Sequence, residues 1–131
     1  MNWKAEAVSK LRRLDMMLQA AKNLPEELAR LDAAAVTLGE DRDALLSNRV
    51  QRKETEAVFH QVRAWIDTVN RAMSALSAEE KLVLHRLYIC PERGGIDRLC
   101  EELGVEQTSI YRRRNAALRK FTIAMYGSYD G

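Results

Sequence analysis

The sequence predicts an all-α protein, and three features support this. Apolar residues recur at intervals of three and four along most of the chain, which is the spacing of one helix face. Only two of 131 residues are proline and six are glycine, so few positions interrupt a helix. A hydrophobic content of 47% excludes a wholly disordered chain. We expect a long, coiled-coil-like helical hairpin over residues 1–75, a three-helix helix-turn-helix domain over residues 76–126, and a frayed tail over residues 127–131.

The first predicted helix starts at the amino terminus. Its apolar residues alternate spacings of four and three, the pattern of a heptad seam: Trp3, Ala7, Leu11, Leu14, Leu18 and Ala21. Proline is unfavourable inside a helix but suits a first turn. We therefore expect a break at Asn23 and a second helix from Pro25 to Gly39, with Leu28, Leu31, Ala35 and Leu38 on its apolar face.

A polar interval separates this segment from the next long helix. Residues 39–47 are the expected loop, and a helix is predicted from about Asn48 to Leu76, where glycine and proline are absent. Its predicted seam consists of Val58, Val62, Trp65, Val69, Ala72 and Leu76. Two apolar seams of similar length favour an antiparallel hairpin, closed either within one chain or between two chains.

A capping motif marks the start of the C-terminal domain. Ser77 followed by Glu80 has the spacing of a capping box, and Leu82, Val83, Leu87 and Ile89 form the expected buried face of this helix. Pro91 and the pair Gly94 and Gly95 then end it.

The chain from Ile96 to Phe121 predicts two helices joined by a tight turn. Leu99, Cys100 and Leu103 share one face of the first helix, and Gly104 supplies the residue that can adopt a positive φ where that helix ends. Val105 is expected to fill the angle between the helices. The second helix begins at Glu106 or Gln107 and packs through Ile110, Ala117, Leu118 and Phe121.

The opposite face of this second helix is polar and basic. Between residues 107 and 123 there are five basic residues and no acid, whereas the preceding residues 76–106 hold seven acids and four basic residues. The outward side presents Gln107, Thr108, Tyr111, Arg112 and Asn115. A helix–turn–helix with such a second helix has the geometry that enters a DNA major groove.

Other classes find little support in the sequence. The amino terminus has no apolar run of signal-peptide length and no segment reaches eighteen consecutive apolar residues, so we expect a cytoplasmic protein without membrane contact. Cys90 and Cys100 are then expected as reduced thiols, and with His60 and His85 they match no zinc spacing. The chain contains no catalytic motif, so we expect no enzyme, no cofactor and no metal.

Residues 76–121 resemble region four of bacterial sigma factors. The matching stretches are LSAEEKLVLHRLY, LCEELGVEQTSIYRR and ALRKF. Together with a helical hairpin opening on LRRLDMML, the chain is similar to small phage and prophage regulators of the ArpU and RinA type. The resemblance implies a sequence-specific activator of late phage genes that binds promoter DNA. Three departures stand out. The first 75 residues offer no region for a second promoter element, Arg113 stands where primary sigma factors have an apolar residue, and the linker from Cys90 to Gly95 is richer in glycine than is usual for this module.

Carried over residue by residue, the resemblance implies two sets of contacts with double-stranded DNA. The base-reading set is Gln107, Thr108, Tyr111 and Arg112, and the phosphate set is Ser109, Arg113, Arg114, Arg119 and Lys120. For each of these cations a structural ion pair, for example with Glu101 or Glu102, is the alternative.

The wider assembly is open at the level of sequence. We expect a homodimer whose hairpin sets the dimer geometry or contacts RNA polymerase. Two other functions are compatible with the sequence: a small terminase subunit for phage DNA packaging, and a sigma-like adaptor that binds RNA polymerase without reading DNA.

Overall fold

The computed structural model describes residues 2–127, and these contain helices and turns but no strand. The helices are α1 Trp3–Thr37, α2 Arg42–Met73, α3 Ala78–Leu84, α4 Gly95–Leu103 and α5 Gln107–Tyr126. A π-helical turn, His85–Ile89, continues α3. The predicted all-α class, with a long helical hairpin ahead of shorter helices, is confirmed. None of the described helices has a stretch long and apolar enough to cross a membrane.

The predicted break at Asn23 is wrong, because α1 runs unbroken from Trp3 to Thr37 with Pro25 inside it. A proline at this place removes one backbone hydrogen bond and crowds the preceding turn, at a cost of about 3 kcal/mol. The apolar seam nevertheless continues through it: Leu24 and Leu28 are half-buried and Leu31 is buried. Packing on both sides of Pro25 therefore outweighs the local penalty.

The loop between the long helices is also shorter than the predicted residues 39–47. It is a turn around Gly39, whose φ is 62°, and α2 already starts at Arg42. The Asp41 carboxylate accepts a hydrogen bond from the Ala44 backbone N–H at 3.2 Å, which is the arrangement of a helix N-cap. The acids of this polar interval therefore start α2 instead of extending the loop.

The chain divides into two compact units. Of the described residues, one unit comprises 2–16 and 67–127, and the other comprises 17–66. We call them the helix-turn-helix unit and the hairpin unit. The sequence-based boundary at residue 76 lies just before α3, whereas the helix-turn-helix unit also includes the first turns of α1 and the last turns of α2.

The hairpin unit pairs α1 with α2 within the chain. The Asn48 side-chain amide donates to the Leu31 carbonyl oxygen at 3.0 Å, and the Arg52 Nε donates to Asp32 at 2.6 Å. Its seams differ from the predicted ones at Leu18 and Val58, which are 42% and 46% exposed, and on α2 Ile66 is buried instead. Spacings of four and three counted from Val62 lead to Ile66 and then to Val69, which explains why Ile66 lies on the seam.

The helix-turn-helix unit encloses an apolar core built from every one of its helical segments. Leu11 of α1, Val69 of α2, Leu84 of α3, Leu99 of α4 and Phe121 of α5 are all fully buried. The predicted capping box starts α3: Ser77 Oγ accepts from the Glu80 N–H at 3.1 Å, and the Glu80 carboxylate accepts from the Ser77 N–H at 2.9 Å. Gly127 ends α5 with a φ of 82°, and the remainder of the predicted frayed tail lies outside the described residues.

Candidate nucleic-acid interface

A three-residue turn joins α4 to α5. Gly104 ends α4 with a φ of 65°, in the left-handed region that favours glycine. The Val105 N–H donates to the Cys100 carbonyl at 3.1 Å. Glu106 is the N-cap residue of α5 and its carbonyl accepts from the Ser109 and Ile110 N–H groups. The predicted glycine turn and the predicted start of the second helix are therefore both present.

The buried face of α5 is the predicted one. Ile110, Ala117, Leu118 and Phe121 are each 2% exposed or less. Thr122 extends this face, and its hydroxyl donates to the Leu118 carbonyl at 2.8 Å. Since this face is fixed against the core, the orientation of the opposite face is fixed as well.

The exposed face of α5 carries the predicted base-reading residues. Gln107, Thr108, Tyr111 and Arg112 are all exposed. Gln107 Nε2 donates to Asp97 Oδ1 of α4 at 3.3 Å. Arg112 has no ion pair or side-chain hydrogen bond within the part of the chain that the structure describes. Their role in reading bases stays a prediction.

Arg114 is tied to its own helix. Its guanidinium carbon lies 4.9 Å from the centroid of the Tyr111 ring, within the range of a cation–π contact. Its Nε and Nη2 also donate to the Asn115 side-chain oxygen at 3.3 and 3.1 Å. Arg114 therefore contacts both the Tyr111 ring and the Asn115 amide, two of the residues predicted to lie on the outward side of α5.

Two further cations of α5 face α3. Arg113 forms an ion pair with Glu79, and the Lys120 ammonium lies 3.0 Å from both carboxylate oxygens of Glu80. Glu102, which was one expected partner for these cations, instead pairs with Arg86 at 3.0 Å. Sequence reasoning missed Glu79 and Glu80 as partners because helices α3 and α5 are far apart in the chain.

Glu80 has a perturbed acidity. Burial would raise the pKa of its carboxyl, but hydrogen bonds from the Ser77 N–H and from Lys120 outweigh burial and lower the pKa below its ordinary value. Its side chain is 13% exposed. Glu80 is therefore a charged anchor at neutral pH that connects the start of α3 to the middle of α5.

The remaining predicted phosphate contacts differ in accessibility. Arg119 is exposed and, like Arg112, has no ion pair within residues 2–127. Ser109 is half-buried in the first turn of α5. Within the same residues no group of three His, Cys, Asp or Glu side chains is placed to hold a metal ion.

The fold and this surface define a helix-turn-helix unit whose second helix exposes amide, hydroxyl and guanidinium groups. Searches against models of protein families, curated proteins and solved structures give no significant match. The case for a function therefore depends on the geometry of this surface and on the resemblance in sequence.

Proposed function

We propose that the chain is a sequence-specific DNA-binding transcriptional regulator that inserts the first half of α5 into the major groove. The observation that carries the proposal is the division of α5 into two faces. One face is locked into an apolar core, and the other presents Gln107, Thr108, Tyr111 and Arg112 to solvent next to a short turn. In helix-turn-helix proteins the second helix contacts base edges in this way.

The exposed side chains have the chemistry for base recognition. Glutamine can pair with the edge of adenine through two hydrogen bonds, and arginine can do so with guanine. A threonine methyl group or a tyrosine ring can contact the methyl group of thymine. Arg112 suits this task best, because no acid in the described structure holds its guanidinium.

The wider role follows from the resemblance. A phage or prophage regulator that activates late genes would bind near a promoter, with the hairpin contacting RNA polymerase or a second copy of the chain. A homodimer would recognise two half-sites separated by whole helical turns of DNA.

The first experiment is selection of bound duplexes from a random pool, using the purified protein at physiological salt. We expect enrichment of one motif. Arg112→Ala should then weaken binding to that motif by about 1–3 kcal/mol and relax specificity at one base pair. The matched control is Arg49→Ala, which removes an exposed arginine of α2 that has no ion pair among the described residues. Equal losses on selected and random DNA would contradict base reading by Arg112.

One alternative draws on a specific observation. Glu79 and Glu80 pair with Arg113 and Lys120 of α5, which lowers the positive charge available to DNA. A sigma-like adaptor that occupies RNA polymerase without reading DNA would tolerate such neutralisation. No enriched motif, together with retention on purified polymerase, would favour the adaptor. A ring of many subunits in a solution mass measurement would instead favour the terminase subunit.

A further inference from the structure

Four of the five cations of α5 form two rows, and the fifth, Arg114, is held by contacts within its own helix. Arg112 and Arg119 are seven residues apart, as are Arg113 and Lys120. Because seven residues are close to two full turns, the members of each row lie on one side of the helix. The rows are one residue apart in sequence and so are rotated by about 100° from each other around the helix axis.

The two rows differ in whether their cations are paired with acids. The row of Arg113 and Lys120 lies beside α3, where Glu79 and Glu80 provide one carboxylate for each cation. The row of Arg112 and Arg119 is exposed and has no acidic partner within residues 2–127. The difference comes from the packing of α5 on α3, which brings one row to the acids. Lys120 is still 57% exposed beside its carboxylate, so the rows differ in pairing and not simply in exposure.

We propose that Glu79 and Glu80 withhold Arg113 and Lys120 from DNA phosphates, so that of the two rows only the outward one supplies cations with which α5 contacts DNA. Arg113 and Lys120 are then positioning residues that hold α5 against α3. This inference rests on the proposed DNA binding and specifies which residues perform it.

The contact of Lys120 shows why such an ion pair resists exchange. Glu80 is mostly buried and its carboxylate is also held by the Ser77 N–H, so it cannot follow the lysine towards DNA. If Lys120, which is 57% exposed, moved to a phosphate, the Glu80 carboxylate would lose its cation while its side chain is only 13% exposed, and this loss opposes the exchange. An exposed arginine without an acidic partner can contact a phosphate without breaking an ion pair.

The pairing of Arg113 and Lys120 with acids should increase the specificity of DNA binding. Binding to random DNA depends on phosphate contacts, and each neutralised phosphate adds about 0.9 to the slope of log affinity against log salt concentration. A helix with the cations of both rows free would bind any duplex more tightly. When two of these cations are paired with acids, base contacts contribute a larger share of the free energy of DNA binding.

The test is the affinity of full-length variants for a fluorescent random-sequence duplex, measured by anisotropy across a salt series. Arg119→Ala should lower the steepness of the slope by about one and weaken binding about five-fold near physiological salt. Arg113→Ala should change the slope much less than Arg119→Ala does, because it removes no phosphate contact. Glu79→Gln, which releases Arg113, should steepen the slope by about one and tighten binding about five-fold.

Glu101→Gln is the matched control for Glu79→Gln. It removes the same charge from an exposed acid of α4 that pairs with no cation of α5 in the described structure. It should leave the salt slope unchanged. Thermal unfolding of each variant by circular dichroism verifies that the helices remain folded.

The outcomes separate this inference from the proposed function. If the wild type binds and Arg113→Ala flattens the slope as much as Arg119→Ala, Arg113 contacts phosphate and the inference is overturned. If the wild type does not bind duplex but Glu79→Gln does, withholding is supported and the proposed function fails. If neither protein binds, both are overturned.

Discussion

The two compact units of this chain are stabilised in different ways. Of the buried apolar side chains in residues 2–127, only Leu31, Val62 and Ile66 belong to the hairpin unit, and the others belong to the helix-turn-helix unit. The hairpin seam also contains the polar side chains of Asn48 and Arg52. Burial of apolar surface is the main favourable contribution to folding. We therefore infer that stability is concentrated in the unit that carries the candidate interface.

The polar groups of the hairpin seam serve a different purpose. Asn48 donates to one particular carbonyl, and Arg52 contacts both Asp32 and Glu56 at 2.6 Å. Such exposed ion pairs contribute little stability. A polar residue in a helical seam instead favours one register over the others. The hairpin unit thus gains a defined register at the expense of hydrophobic burial.

The largest expected effect is in the apolar core. Phe121→Ala should destabilise the helix-turn-helix unit by about 3–5 kcal/mol, because it removes a fully buried ring and leaves a cavity. Urea unfolding followed by circular dichroism measures the loss. Val36→Ala in the hairpin unit is the control, since Val36 is 83% exposed and should change stability by no more than about 0.5 kcal/mol. Similar losses of unfolding free energy from both substitutions would contradict the inference that stability is concentrated in the helix-turn-helix unit.

Pro25→Ala should stabilise the hairpin unit, by up to about 3 kcal/mol. Alanine restores the backbone N–H that proline lacks inside the continuous helix α1. Thermal unfolding measures the gain. Pro91→Ala is the control because Pro91 lies outside the helices, so its replacement restores no helical hydrogen bond. An unchanged melting temperature for Pro25→Ala would mean that the helix already accommodates the ring without loss.

Asn48→Ala should cost about 1 kcal/mol, since it removes one partly buried hydrogen bond. The more informative result concerns register. A cysteine pair at Asp32 and Arg52, whose side chains contact each other across the hairpin, leaves Asn48 in place. In a background where Cys90 and Cys100 are serine, this pair should crosslink readily while the native register holds. With alanine at position 48 in the same full-length chain, this crosslinking should fall, and a pair shifted by one heptad, at Asp32 and Phe59, should begin to crosslink. Unchanged crosslinking would show that apolar packing alone sets the register.

The smallest expected effect is the pH dependence contributed by Glu80. Its pKa in the folded protein is lowered, so its contribution is present at neutral pH and is lost as the pH falls through the folded-state pKa, below the ordinary value of 4.5. Glu80→Gln keeps a side chain suited to the capping box but removes the charge that Lys120 contacts. It should destabilise by about 1 kcal/mol or less near pH 7 and have no effect at strongly acidic pH. Denaturant unfolding at several pH values measures this, with Glu101→Gln as the flat control.

Much of the fold was predictable from local sequence patterns. The capping box at Ser77, the turn at Gly104 and the buried face containing Phe121 each depend on residues close together in the chain, and each is present. The exposure of Gln107 and Arg112 follows from the same periodicity. The predicted break before Pro25 was wrong, because the helix-breaking tendency of proline acts locally, whereas the packing on either side of Pro25 keeps α1 continuous.

The sequence by itself thus determined the helical class, the hairpin and the two faces of α5, because helix periodicity, caps and turns act over a few residues. Only the tertiary structure decided which cations of α5 are paired. Glu80 and Lys120 are forty residues apart, and their contact exists because the core orients α5 on α3. The same core gathers the first turns of α1 and the last turns of α2 into the helix-turn-helix unit, since burial of apolar surface depends on position in space and not on distance along the chain.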